Sequence, residues 1–227
     1  MVPQAIFFDA VGTLFGVRDS VGHAYARIAA EFGVMAPPDR LNAAFFQAFA
    51  AAPPMAFPGC PPAELVPKEN TWWRAIARDT FGSAGVLTHF SDFEAFWQRL
   101  YAYFATAEPW EVYDDTRPVL AHWRERGTKL GVISNFDSRL LPVLDALALR
   151  PYFDVVVYST AVGAAKPDPA IFTAALGDLS ADTCWHVGDS YTADVVGARG
   201  AGLQAFWLDR RGDRHYTLKT LWELPNP

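Results

Sequence analysis

The sequence has 227 residues, of which 51% are hydrophobic and 15% aromatic, enough apolar side chain for a sizeable core and too much for a disordered or fibrous chain. Its formal net charge is −6, and its 19 lysines and arginines gather into no long run; Arg124 with Arg126, and Arg210 with Arg211, form only isolated pairs. An acidic chain without a basic stripe argues against nucleic acid as a partner, and no window approaches the roughly 20 apolar residues that a membrane helix needs.

The first element is read from AIFFDAVGTLFG, Ala5 to Gly16. Ala5 to Phe8 form an unbroken apolar run, the pattern of a strand covered on both faces in a parallel sheet. Asp9 follows at its C-terminal end, where open α/β sheets place their ligands, and Gly12 lets the chain turn away. A helix-capping aspartate is the plainer alternative at this point. Beyond Gly16 the pattern becomes helical for about ninety residues. Helices are predicted over Ser20 to Phe32, Asp39 to Ala51 and Asn70 to Phe81, the last ended by Gly82. Pro53 to Pro67 contains six prolines and is expected to be irregular. Ser91, with Glu94 three residues on, is expected to cap another helix. Four amphipathic helices without a strand pack best as a bundle of their own, so residues 17–110 are read as an inserted helical domain. Its aromatics, at helical spacing, are read as bundle core.

From Asp114 onward strands and helices alternate. Helices are predicted over Asp115 to Arg126, Ser138 to Leu149, from Pro169 to Leu176, and over Tyr191 to Arg199. Strands are predicted over Lys129 to Ser134, Asp154 to Ser159, Thr183 to Val187 and Leu203 to Leu208. Repeated βα units imply a parallel sheet with helices on both faces. The fold class is therefore α/β, a Rossmann-like core of residues 1–16 and 111–227 carrying an inserted all-helical domain. Residues 210–227 read as a short terminal appendage. Cys60 and Cys184 have no metal-binding spacing, and the N-terminal stretch lacks a basic segment followed by a long apolar one. A cytoplasmic protein with reduced thiols is expected.

Three later stretches join the first. GVISN (Gly131 to Asn135) is a buried strand ending in small polar residues, KPDPAIF begins at Lys166, and WHVGDSYTAD carries Asp189 and Asp194. In this order Asp9, Ser134, Lys166 and Asp189 resemble the four motifs of the haloacid dehalogenase-like hydrolase superfamily, and the resemblance spans the whole chain. It implies a strand order with the first strand central and the fourth beside it, and a helical cap that closes on the active site and selects substrates. It also implies Asp9 as the nucleophile, through an ester intermediate, and a magnesium ion held by Asp9, Asp189 and the backbone carbonyl of Val11. Asp194 is either a further ligand or a structural carboxylate. Lys166 would neutralise the nucleophile and incoming phosphate oxygens, while Ser134 with the backbone amides of Asn135 and Thr13 suits an oxyanion cradle. His23, His89, His122 and His215 are scattered without ligand spacing, and His186, alternating with apolar neighbours, reads as a core or interface residue.

Val11 departs from the phosphatase pattern, in which a second aspartate protonates the leaving alkoxide and then activates water. Loss of such a group typically costs roughly 10²–10⁴-fold, most for strongly basic leaving groups. DAVGTL is closer to the dehalogenase branch, where a halide needs no proton, yet that branch usually lacks the acid kept here as Asp189. Phosphonate-cleaving relatives use a cap lysine, and Lys68, the only lysine of the helical block, lies in a proline-rich loop. Three functions therefore stay open: a magnesium-dependent hydrolase of phosphorylated small molecules, a metal-independent haloacid hydrolase, or a phosphate-binding module without turnover. No partner beyond a small-molecule substrate is expected, and the sequence does not give the oligomeric state.

Overall fold

The computed structural model describes residues 2–212 and 217–225. In chain order the first half forms β1 (Ala5–Phe8), β2 (Phe15–Val17), α1 (Val21–Glu31), α2 (Pro38–Ala51), α3 (Pro62–Ser83), α4 (Phe93–Tyr103) and β3 (Trp110–Val112). There follow α5 (Thr116–Glu125), β4 (Lys129–Ser134), α6 (Leu140–Ala146), β5 (Val155–Tyr158), α7 (Ser159–Val162) and α8 (Pro169–Leu176). Then come β6 (Cys184–Gly188), a π-helical turn over Tyr191–Val196, α9 (Gly197–Gly200) and β7 (Gln204–Trp207).

Five of the strands form one parallel sheet in the order β5-β4-β1-β6-β7, with the first strand central, as the motif order implied. Every residue of β1 and of β6 is buried, because a continuous apolar run has no solvent face to offer and must be covered on both sides. The register levels the strand ends: Phe8 pairs with Val132 on one side and with Val187 on the other. Asp9, Ser134 and Asp189, each one or two residues beyond these pairs, therefore emerge at the same edge of the sheet. Phe7, Ile133, Ile171, Phe172 and Val195 build the apolar layer on one face.

The chain divides into two compact units. One holds the chain up to Gly16, Met55–Cys60 and everything from Val112 onward; the other holds Val17–Pro54 and Pro61–Glu111. The sequence ran the helical block without interruption from 17 to 110, whereas Met55–Cys60 belongs to the α/β unit. Met55 is buried there, its carbonyl accepts a 2.6 Å hydrogen bond from Ser159 Oγ, and a Cβ on Gly163 would lie 3.0 Å from Pro58 Cα. Two of the four passages between the units lie in β2 and β3, short strands that pair with each other and that the sequence pattern did not reveal; the other two flank Met55–Cys60.

The helical unit, α1 to α4, has a core dominated by aromatic rings, among them Tyr25, Phe45, Phe81, Phe96 and Trp97. Its helix ends differ from expectation in three places. Asp92 rather than Ser91 caps α4, accepting from the Ala95 amide at 2.9 Å, as a carboxylate at a helix N-terminus does well. The α3 helix starts at Pro62, inside the proline-rich stretch, because proline is well suited to the first helical position; Pro67 then lies within the helix. Gly82 does not stop α3, which runs to Ser83 and is followed by Gly85 at φ +72°. In the α/β unit the helix predicted over Ser138 to Leu149 shortens to α6. Among the described residues no helix is long and apolar enough to cross a membrane.

Candidate active site

Asp9 leaves β1 at the sheet edge, its amide donating to Val187 O at 2.8 Å, so the nucleophile candidate is tied by its own backbone to β6. Lys166 meets it from the loop before α8. The Lys166 ammonium donates three hydrogen bonds of 2.7 Å each, to Asp9 Oδ1, Asp194 Oδ1 and the Ile133 carbonyl. All three of its protons are thus used, and the side chain is almost fully enclosed. Burial works against its charge, yet Asp194 and Asp9 together raise its pKa above the ordinary lysine value.

The acid expected to be either a ligand or structural, Asp194, is 1% exposed and stands at the centre of this network. It lies on the π-helical turn, a departure from α geometry that recurs at functional sites. Its Oδ1 accepts from Lys166 and, at 2.9 Å, from His186 Nε2, and its Oδ2 accepts from the Ser190 amide at 2.9 Å. Burial alone would raise its pKa, but Lys166 and the His186 hydrogen bond hold it below the usual carboxylate range. Gly188 is required beside it, since any Cβ there would strike the Asp194 carboxyl.

His186 was read from sequence as a core or interface residue. It is indeed fully buried, but it is also the partner of Asp194. Burial lowers its pKa, although Asp194 works in the opposite direction; Nε2 faces Asp194 Oδ1, and Nδ1 is enclosed without a hydrogen-bond partner. The only signal for this was its spacing, eight residues before Asp194 across a strand and a turn. Asn135 likewise does more than its sequence role suggested. Its side chain accepts from the Lys166 amide at 2.7 Å and donates to the Lys166 carbonyl at 2.9 Å, a two-point clamp on the lysine's main chain. Ser134 closes β4, buried and in register with Tyr158.

Asp189 stands apart at the rim, open to solvent, immediately after β6. The protein mass around it, then the charges of Asp9 and Asp194, push its pKa up to about 7. Gly12, at φ +90°, lets the first loop pass this carboxylate closely; a Cβ there would sit 2.5 Å from Asp189 Oδ2. Carboxylate oxygens of Asp9, Asp189 and Asp194 lie within 4.8 Å of one another. Three carboxylates face one buried ammonium, and burial raises Asp9 as well despite Lys166. An excess of hard oxygen donors whose charges repel one another fits a hard divalent cation.

The remaining expected residues lie on the loop after Asp9. Val11 is half-buried and bridges to Phe15, and its side chain carries no group that could ligate a metal or move a proton. Thr13 is fully buried, its hydroxyl without a hydrogen-bond partner. Its amide donates a long 3.3 Å bond to the Ala10 carbonyl, so the oxyanion role expected of that amide competes with a bond inside the turn. His23, His89 and His122 make no part of this cluster, and His215 lies outside the described residues.

Residues 3–202 match the family described as haloacid dehalogenase-like hydrolase. A zebrafish (Danio rerio) relative, haloacid dehalogenase-like hydrolase domain-containing protein 3, is 34% identical over 97% of this chain and 94% of its own. Phosphatase MT3486 of Mycobacterium tuberculosis is 44% identical over a shorter stretch, 44% of this chain and 48% of its own. Among solved structures, an HAD phosphatase from Thermococcus onnurineus superposes with a TM-score of 0.62 at 26% identity, covering 97% of this chain and 95% of that one.

Proposed function

Since the chain belongs to the haloacid dehalogenase-like hydrolase family and is a phosphatase-like hydrolase, we propose that it is a magnesium-dependent phosphohydrolase acting on phosphorylated small molecules through an aspartyl-phosphate on Asp9. The observation that carries this reading is the Lys166 ammonium at 2.7 Å from Asp9 Oδ1, beside an acidic cluster completed by Asp189 and Asp194.

A carboxylate oxygen of Asp9 attacks phosphorus, and the bond from phosphorus to the ester oxygen breaks, the leaving oxygen keeping the electron pair. Water then attacks the same phosphorus, the bond to Asp9 breaks, and inorganic phosphate departs as the carboxylate is restored. Lys166 offsets the charge of Asp9 and of the phosphoryl oxygens, held in place by Asp194, Ile133 and Asn135. Asp194 in turn is oriented by His186 and the Ser190 amide. Ser134, Asn135 and Thr13 form the substrate-binding set. Asp9, Asp189, Asp194 and the Val11 carbonyl would hold the magnesium ion, which when bound supplies positive charge to carboxylates and phosphate oxygens alike. Val11 has no proton to give, so esters whose leaving oxygen is stable as an anion are the favoured substrates. In the same reading the helical unit is the substrate-selecting cap domain, and the protein works in the cytoplasm.

Val11 also supports a second reading, a 2-haloacid dehalogenase-type hydrolase, because a halide leaves without a proton. Assaying purified protein against aryl and alkyl phosphates and 2-chloroalkanoates, with magnesium and with chelator, separates the two. The proposal expects phosphate release that requires magnesium, faster from aryl esters. Halide release in the presence of chelator would favour the second reading instead.

A further inference from the structure

Arg210 belongs to none of the four motifs, yet it reaches back 197 residues to the loop that follows the nucleophile. That loop is organised about one atom. The Ala10 carbonyl accepts the amides of Thr13, Leu14 and Phe15 at 3.3, 2.8 and 3.3 Å, and Gly12 N donates to Phe15 O at 2.8 Å. These bonds are all local to the turn and do not fix it to the rest of the α/β unit. Two carbonyls on its far side do. Leu14 O accepts from Thr116 Oγ1 at 2.7 Å and from the Tyr113 amide at 3.2 Å. Thr13 O accepts from Arg210 Nη2 at 2.6 Å and Nε at 3.2 Å.

The guanidinium is itself held rigidly. Asp115 takes it on one edge, Oδ2 at 3.1 Å from Nη1 and Oδ1 at 3.0 Å from Nη2, and the Tyr113 ring lies against its face with the centroid 4.0 Å from Cζ. Asp115 Oδ2 also accepts the Leu221 amide at 2.7 Å, so the terminal appendage is tied to the same carboxylate. A planar, permanently charged fork that satisfies a carboxylate, a ring face and a main-chain carbonyl together uses what distinguishes arginine from lysine.

We propose that Arg210 is a positioning residue for hydrolysis: by gripping Thr13 O it fixes the loop that begins at Asp9, and with it the nucleophile, the Val11 carbonyl and Gly12 against Asp189. The inference rests on the phosphohydrolase reading for its kinetic arm only. With three hydrogen bonds to Thr13 O and Asp115, this arginine acts through the loop and not on substrate. Displacing a reacting group by about 1 Å can cost on the order of 10²-fold in rate.

The test compares wild type, Arg210→Met, Arg210→Lys and, as a control in the same appendage, Trp222→Ala, whose exposed ring touches His122. Two quantities are read: kcat and KM on 4-nitrophenyl phosphate with magnesium, and amide hydrogen exchange of Leu14 and Phe15 relative to β4. Arg210→Met is expected to lower kcat by about 10- to 100-fold with KM changed by less than about threefold, and to speed exchange of the two loop amides but not of β4. Arg210→Lys should recover part of both, and Trp222→Ala should change neither. Arg210→Met with kcat within twofold of wild type and unaltered loop exchange would overturn the proposal. Should Arg210→Met fail to fold, Arg210→Lys decides alone: slower turnover and faster loop exchange support the proposal, wild-type values refute it. If wild type hydrolyses no phosphate ester, the phosphohydrolase reading fails, and the exchange measurement still decides whether Arg210 holds the loop.

Discussion

In the helical unit the interior is mostly aromatic and most charges are outside, Glu69 on α3 being a fully buried exception. Tyr25 stacks on Phe81 at 5.9 Å, Phe81 meets Phe96 edge-on at 5.0 Å, and the ion pairs Arg27–Glu108, Arg74–Glu94 and Arg99–Glu31 all lie on the surface. The α/β unit reverses this at one end of its sheet. Asp9, Lys166, His186 and Asp194 are buried together, each in contact with at least one of the others. Rings hold a shape at little electrostatic cost, so most of the helical unit's interior rests on their burial and packing. Buried charges are expensive and persist only when fully partnered, which makes the α/β cluster a place where stability has been given up for chemistry.

Lys166→Met tests the α/β side most severely. Removing the ammonium leaves Asp9 and Asp194 buried without their cation, and turnover should vanish while stability falls by about 3–5 kcal/mol, read by denaturant unfolding. Phe96→Ala is the counterpart in the helical unit. It should cost a similar amount, about 3–5 kcal/mol, through lost burial and a cavity, with little dependence on pH or salt. A loss that varied strongly with either would break the contrast between the two regions.

Val11→Asp alters the α/β site with a smaller effect. With a proton donor restored, alkyl phosphate turnover should rise more than aryl, by at most about 10²–10⁴-fold, measured as the ratio of kcat/KM for the two ester types. No gain while magnesium binding persists would mean that the missing proton does not limit the enzyme. Smallest of all, Arg99→Ala should destabilise by about 0.2–1 kcal/mol at low salt and by less at high salt, because its pair with Glu31 is exposed.

The two regions also differed in how well the sequence revealed them. Strands buried on both faces leave unbroken apolar runs, so β1, β4 and the order of motifs along the sheet were legible, and Lys129–Ser134 and Pro169–Leu176 match their expected bounds. Helical spacing likewise revealed the four long helices and their aromatic core. Their ends were harder, because Ser91 and Asp92 are both good caps and only the Ala95 amide chooses between them. Within the site, Asp9 and Asp189 were legible as carboxylates at strand ends, Lys166 as the lysine ahead of a helix, and Asp194 as a second acid five residues after Asp189. What escaped were side-chain contacts that no expected role implied: His186 on Asp194, the Asn135 clamp on the Lys166 main chain, and Arg210 on Thr13 O. These pairs are joined by tertiary folding, and sequence spacing carries little trace of them.

The central claim is that Asp9 is the nucleophile of a phosphoryl transfer, and covalent trapping tests it most directly. Protein mixed with 4-nitrophenyl phosphate and magnesium, quenched in acid within the first turnover and digested, should yield a phosphorylated peptide whose modified residue is Asp9 by mass spectrometry. Asp9→Asn should yield none and should lose at least about 10⁴-fold in turnover. Phosphate released at the wild-type rate with Asp9 unmodified throughout, or with Asp9→Asn still active, would contradict the account.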